Sequence, residues 1–398
     1  MTRSLALLAC LALAAEAPAQ KAKETPGEAA YRALVKEHNV GLAAFQKSLE
    51  AARTPAEQQK VFRDKHPKIE DFAPRFFALA SKHADSPAAV DALTWVALHP
   101  APPDSKVAGL RPKALKALLA DHPKDARLGL LCTALVPTID ADSEAFLRGV
   151  LDKAPAAGAK ARACASLAHN LKYRARLVLQ LKEEKDALKR WEEAWGKAAV
   201  AYLFKRSSDE LSKESIKLFE RLEKDHADVK HPTHGDLGQF AKAHLLSLRQ
   251  PVEEGKAAPQ VSGFDMAFKA MKLSDFKGQV VLLVFQSHAL PACRASYPEQ
   301  RALLARMKGK PFVLLGVSGD PDRAAARKAL AAEKLTYRSW FDGGGTDGPL
   351  AARWEIDIWP TLVLIDAKGV VREMLFGWPP RKELDAAIGK LLKGAATK

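Results

Sequence analysis

The chain has 398 residues, 47% of them apolar and 27% charged, and carries a net charge of +15. That length suits two or three domains, and the composition excludes a disordered, collagenous or membrane-embedded chain. The positive charge does not make a nucleic-acid binder, because Lys and Arg alternate with Asp and Glu on helical stretches such as 182–195. No basic stripe interleaved with aromatic residues accompanies it.

The first residues read as a processing segment. Arg3 supplies a positive start, residues 5–15 an apolar core, and Ala17-Pro18-Ala19 a small-residue cleavage signal. Residues 1–19 are therefore expected to be a signal peptide, leaving an exported, soluble protein in a periplasmic or extracellular setting. The apolar run is far shorter than the roughly 20 residues that cross a bilayer, and no other stretch reaches that length. Cys10 after Leu7-Leu8-Ala9 offers a lipoprotein box as the alternative, although the apolar run continues past it.

Three further cysteines follow: Cys132, Cys164 and Cys293. So low a count excludes a disulfide-stapled scaffold, and an odd number leaves at least one thiol without an intramolecular partner. Cys132 and Cys164 lie in Ala/Leu-rich helical runs, which suits small buried hydrophobes or a single bridge between them.

After a linker near residues 20–27, residues 28–250 read as an all-helical domain. Tyr31, Leu34, Val35, His38, Leu42, Phe45 and Leu49 share one stripe at helical spacing. Pro87 opens another helix, with Val90, Leu93, Thr94, Ala97 and Leu98 on one face. Further helices are expected at 110–119, 126–135, 143–151, 159–181, 185–203, 215–222 and 237–248. No strand-type alternation interrupts them. The turns at Lys82-His83 and Asp121-His122 lie about 39 residues apart, a spacing that stacked helix pairs would give. An α-α repeat array and an irregular bundle both fit.

The character changes at residues 251–259. Residues 280–285 and 312–317 are continuous apolar runs, as expected for strands buried on both faces. Residues 362–365 and 370–376 form a further pair across the turn at Gly369. Helices intervene at 295–307, 323–333 and 381–392, so this part reads as a sheet with crossover helices. The run Asp342-Gly343-Gly344-Gly345 lacks the residues of a phosphate-binding loop and reads as a surface loop. His226, Asp228, His231, His234 and Asp236 share one loop, but their spacing matches no zinc pattern. No metal site and no cofactor are assigned.

Several collinear segments here resemble one family. Gly255-Lys256-Ala257-Ala258-Pro259 and the stretch Leu273-Ser274-Asp275-Phe276-Lys277-Gly278, leading into the first strand, resemble the opening of TlpA/ResA-like thiol-disulfide oxidoreductases. The wider redoxin superfamily, related to the AhpC/TSA peroxiredoxins, shares it. Cys293-Arg294, Leu314-Leu315-Gly316-Val317, Trp359-Pro360-Thr361 and the Gly369 turn follow in the family's order. The resemblance implies a thioredoxin-like fold over residues 255–398, hence an α + α/β chain with a helical domain first. It also implies thiol-disulfide oxidoreductase or antioxidant activity on protein or peptide partners; the charge pattern and the short apolar runs, read above, add the expectation of no nucleic acid and no stable membrane span.

In that family an exposed cysteine at a helix start attacks a disulfide and a second, three residues on, resolves it. Aligned on Cys293, the attacking position is Leu290, and Gln286 and Ala289 replace the usual flanking aromatics. The tentative catalytic residue is therefore Cys293 alone. It is open to single-cysteine thiol or peroxide chemistry or is an inert remnant, and Leu290 offers no hydroxyl of the peroxiredoxin kind. Arg294 is placed to lower the Cys293 pKa or to point to solvent, and His288 to serve as a base or stand by. Trp359 and Pro360, where the resemblance implies a cis bond, are tentative substrate-binding residues. A non-catalytic peptide- or protein-binding module is the alternative function.

Overall fold

The computed structural model describes residues 24–102, 104–183, 185–231, 235–345 and 348–395. The signal-peptide reading of residues 1–19, Cys10 with it, lies outside the described residues, as does His234. The chain forms two compact units, Met1–Ser215 and Ile216–Lys398.

The first unit is helical. Its helices are α1 Pro26–Ala51, α2 Pro55–Lys65, α3 Ile69–Lys82, α4 Pro87–Leu98, α5 Leu110–Asp121, α6 Leu128–Ala134, α7 Ala141–Lys153, α8 Ala157–Glu183, α9 Lys185–Trp195 and α10 Lys197–Leu203. Local chemistry sets their starts. Thr25 and Thr54 each form a capping box with a Glu three residues on, and a proline opens the first turn of each helix. The stretch expected as one helix over 185–203 is broken at Gly196, whose φ of 83° ends α9 and starts α10. Packing runs between near neighbours, α3 on α4, α4 on α5, α5 on α7, and α7 and α6 on α8, as in stacked helix pairs.

Two buried polar features mark this unit. His38 of α1 meets Phe72, Trp95 and His99 edge-on, with ring centroids 5.0, 5.2 and 5.6 Å away. Arg174 of α8 is buried and pairs with Glu144 of α7, which also binds Arg148 and Tyr202. Cys132 is buried and free, so no bridge joins it to Cys164.

α11, Ser208–Asp225, begins in the first unit and ends in the second. The second unit continues with a two-residue hairpin, β1 Lys230–His231 and β2 Gly235–Asp236, and α12 Leu237–Arg249. The helical stretch is thus not wholly free of strands. A hairpin of β3 Ser262–Phe264 and β4 Ala270–Lys272 follows. The main elements are then β5 Val280–Gln286, α13 Pro291–Ala295, α14 Tyr297–Met307, β6 Phe312–Ser318, α15 Arg323–Ala332, β7 Ser339–Phe341, α16 Pro349–Trp354, β8 Thr361–Ile365, β9 Val371–Phe376 and α17 Arg381–Ala395.

The five-stranded sheet has the order β7-β6-β5-β8-β9, parallel from β7 to β5 and antiparallel from β5 to β9. Strand β5 lies at its centre and is buried along its whole length. Alternation in β5 divides the core in two. Val281, Leu283 and Phe285 pack with Cys293, Trp354 and Trp359 on one side, while Leu282 and Val284 meet Leu303, Met307, Leu384 and Ile388 on the other. Helices cover both faces, the layering of a thioredoxin-like fold. Among the described residues no helix is long and apolar enough to cross a membrane.

Candidate active site

The site lies where β5 ends. Phe285 pairs with Thr361, so the loop leaving β5 and the segment entering β8 emerge side by side at one end of the sheet. The first carries Ser287 to Leu290 into α13; the second carries Asp357 to Pro360. The Trp359–Pro360 peptide is cis.

Leu290 is the N-cap residue of α13, has extended backbone and offers no side-chain cap. It is 41% exposed, whereas Cys293, one turn on, is 0% exposed. The Cys293 Sγ accepts a hydrogen bond from the Ser287 N–H at 3.5 Å. Burial pushes this thiol up to about 11; the Ser287 N–H opposes the rise, the charge of Asp320 adds to it, and Arg294 lowers it. Burial thus disfavours the thiolate, although Cys293 stands in the first turn of a helix, where a thiolate is ordinarily favoured.

The surrounding loop is held from several directions. Asp320, just after β6, accepts from Ser287 Oγ at 2.7 Å and Ala289 N at 3.2 Å with one oxygen, and from Ser318 Oγ at 2.8 Å with the other. Arg294 does not point simply to solvent. Its Nη1 donates to the carbonyls of His288 and Ala289 at 2.6 and 3.0 Å. The Tyr297 hydroxyl lies 3.4 Å from the His288 Nδ1, and the two rings stack. Behind the helix, Gln286 Nε2 donates to the Tyr337 hydroxyl at 2.5 Å, which donates to Gln300 Oε1 at 2.7 Å. Gln300 Nε2 donates back to Gln286 Oε1 at 2.9 Å and to Ser296 Oγ at 2.9 Å, and Ser296 Oγ donates to the Cys293 carbonyl at 2.7 Å. This satisfied ring explains how a glutamine sits at the buried end of β5.

Of the residues proposed from the sequence for substrate binding, Trp359 and Pro360 are both buried. The Trp359 ring belongs to the same core as Cys293 and lies against Gly319, and its indole N–H has no hydrogen-bond partner. The exposed side chains of this segment are Asp357 and the apolar Ile358, the latter at 52%. The Thr361 hydroxyl donates to the Ile358 carbonyl at 2.6 Å and Gly377 N donates to the Pro360 carbonyl at 2.8 Å, fixing the segment. Sequence reasoning did not single out Asp320, Gln300, Tyr337 or Ile358. The Ser-Gly-Asp run that starts at the last residue of β6 was the available signal for Asp320, but apart from Ser318 its partners lie 33 and 31 residues away in sequence.

Residues 255–374 match the AhpC/TSA family. The thiol-disulfide oxidoreductase ResA of Bacillus cereus is 26% identical over 157 residues, which cover 39% of this chain and 89% of ResA. The thioredoxin-like protein YneN of Bacillus subtilis is 26% identical over 136 residues, covering 34% and 78%. A solved thiol:disulfide interchange protein of Chlorobium tepidum is 20% identical, with a TM-score of 0.32 and coverage of 35% of this chain and 98% of its own. Residues 255–374 thus match the AhpC/TSA family model within a thioredoxin-like fold, and are similar to the ResA-type thiol-disulfide oxidoreductases.

Proposed function

We propose that this is an exported protein whose thioredoxin-fold domain has given up thiol-disulfide exchange and binds an extended peptide or protein segment. The observation that carries the reading is the contrast between positions 290 and 293. The exposed, helix-starting position holds a leucine, and the thiol that remains is fully buried with its pKa raised. Leucine cannot attack a disulfide, and a sealed, protonated thiol cannot attack a disulfide or a peroxide at a useful rate. This weighs against single-cysteine chemistry at Cys293. The docking face we assign is formed by Leu290 and Ile358, exposed apolar side chains on the two segments that leave the sheet side by side. Export rests on the pattern of Arg3, the apolar run 5–15 and Ala17-Pro18-Ala19.

The test is binding of the full chain to an array of peptides derived from unfolded proteins. Cys293→Ser is expected to bind as the wild type does, while Leu290→Asp and Ile358→Asp lose binding. Equal binding by all four proteins, or none by the wild type, overturns the reading.

A further inference from the structure

We propose that Asp320 and Arg294 form a two-sided clamp that holds the 287–290 loop closed over Cys293 and keeps the remaining thiol of the site silent. The inference deepens the non-catalytic reading above and rests on it. Its basis is the way one short loop is gripped from both sides. Asp320 is buried and takes only donors, from Ser287 Oγ, Ala289 N and Ser318 Oγ. Arg294 gives only donors, to the carbonyls of His288 and Ala289. Ala289 is therefore held by its N–H from one side and by its carbonyl from the other. Ser287, anchored through its hydroxyl, is left with its N–H aimed at the Cys293 Sγ.

A carboxylate taken out of water at such a place is costly unless its partners compensate it. Here the partners are the loop itself, so the same group that orders the loop sets a negative charge beside the thiol. The titratable groups around Cys293 come from every neighbouring element. They are Asp320 from the turn after β6, Arg294 from α13, His288 from the loop, Tyr297 from α14 and Tyr337 from the segment before β7. Asp320 and Arg294 both restrain the loop, but their charges act on the thiol in opposite directions. A merely structural role for either would not produce that opposition.

The experiment is alkylation of the native full chain by iodoacetamide as a function of pH, with each thiol quantified by peptide mapping. Asp320→Asn is expected to accelerate Cys293 labelling at neutral pH by about tenfold or more, the change in thiolate fraction given by one pH unit of midpoint shift, and to move the midpoint down. Arg294→Gln, which loosens the loop but removes a cation, is expected to move the midpoint up. Cys132, buried in the helical unit, stays unlabelled throughout and reports any global unfolding. Should Asp320→Asn fail to fold, Ser287→Ala removes one strut alone and is expected to accelerate labelling to a smaller extent.

A slow wild type with equally slow and unshifted variants overturns the clamp alone. Acceleration that Cys132 shares overturns it too. Rapid labelling of the wild-type Cys293 overturns both the clamp and the non-catalytic reading beneath it.

Discussion

The backbone N–H of Cys293 donates to the carbonyl of Leu290 at 3.1 Å, closing the first turn of α13 with an exposed leucine at one end and a sealed thiol at the other. Thiol-disulfide exchange needs a nucleophile at the exposed end. On the proposed reading the exposed end of this turn offers only leucine, which has no nucleophilic atom.

Restoring the atom is expected to restore chemistry. Leu290→Cys puts a thiol at an exposed N-cap, where unpaired backbone N–H groups and the helix dipole favour the thiolate. Mild oxidation should then link positions 290 and 293, seen by mass spectrometry as the loss of two hydrogens, and the variant should reduce insulin disulfides. A variant that stays fully reduced and inactive would mean that the surrounding loop, and not only the leucine, blocks the reaction.

Gly319 is expected to tolerate no side chain. A Cβ there would lie 2.3 Å from the Trp359 ring and 2.9 Å from the Gly345 backbone. Gly319→Ala should therefore displace the Trp359 ring, cost about 1–3 kcal/mol as overpacking does, and change the tryptophan fluorescence. Unchanged fluorescence and melting temperature would contradict the tight seat assigned to Trp359.

In the helical unit, Glu144 compensates the buried Arg174. Burial alone would raise the Glu144 carboxyl, but hydrogen bonds from Tyr202, Arg148 and Arg174 outweigh it and hold the group down at about 2. Glu144→Gln leaves the Arg174 charge buried without its counter-ion, at an expected cost of about 3–5 kcal/mol by thermal or urea unfolding. Replacing both residues by apolar ones of similar size should recover much of that loss. A single variant as stable as the wild type would contradict the burial of this pair.

His38 predicts an acid weakness. Burial, with added repulsion from His99 and His66, lowers its pKa from 6.5 to about 4, and Asn39 opposes the shift through a hydrogen bond. Between those values the unfolded chain binds a proton that the folded chain excludes. Stability is therefore fully present above pH 6.5 and falls as pH drops toward 4, by up to about 3 kcal/mol from this group. His38→Gln should reduce the slope of stability against pH in that window, read from urea unfolding. An unchanged slope would remove His38 from the account.

Legibility followed local pattern. Strands β5, β6 and β8 could be read because burial on both faces writes a continuous apolar run, and β9 because a turn at Gly369 announces it. Strand β7 and the β3–β4 hairpin were not read; strands of three residues show no period. The break at Gly196 was missed because a single glycine within a helical pattern does not by itself reveal a positive φ. At the site, Leu290 and Cys293 could be placed from a short motif. The burial of Cys293 and the roles of Asp320, Gln300 and Tyr337 could not, because their partners are brought in from distant parts of the chain. Ile358 carries no sequence signal beyond adjacency to Trp359, and its exposure is a property of the folded segment.

The most direct test of the central claim is the rate at which Cys293 of the native, unmodified chain reacts with an aromatic disulfide reagent at neutral pH. The account predicts that Cys293 labels as slowly as the buried Cys132 and that both react promptly only after denaturation. Stoichiometric labelling of Cys293 within seconds in the folded protein, with Cys132 still protected, would contradict it and return the site to active thiol chemistry.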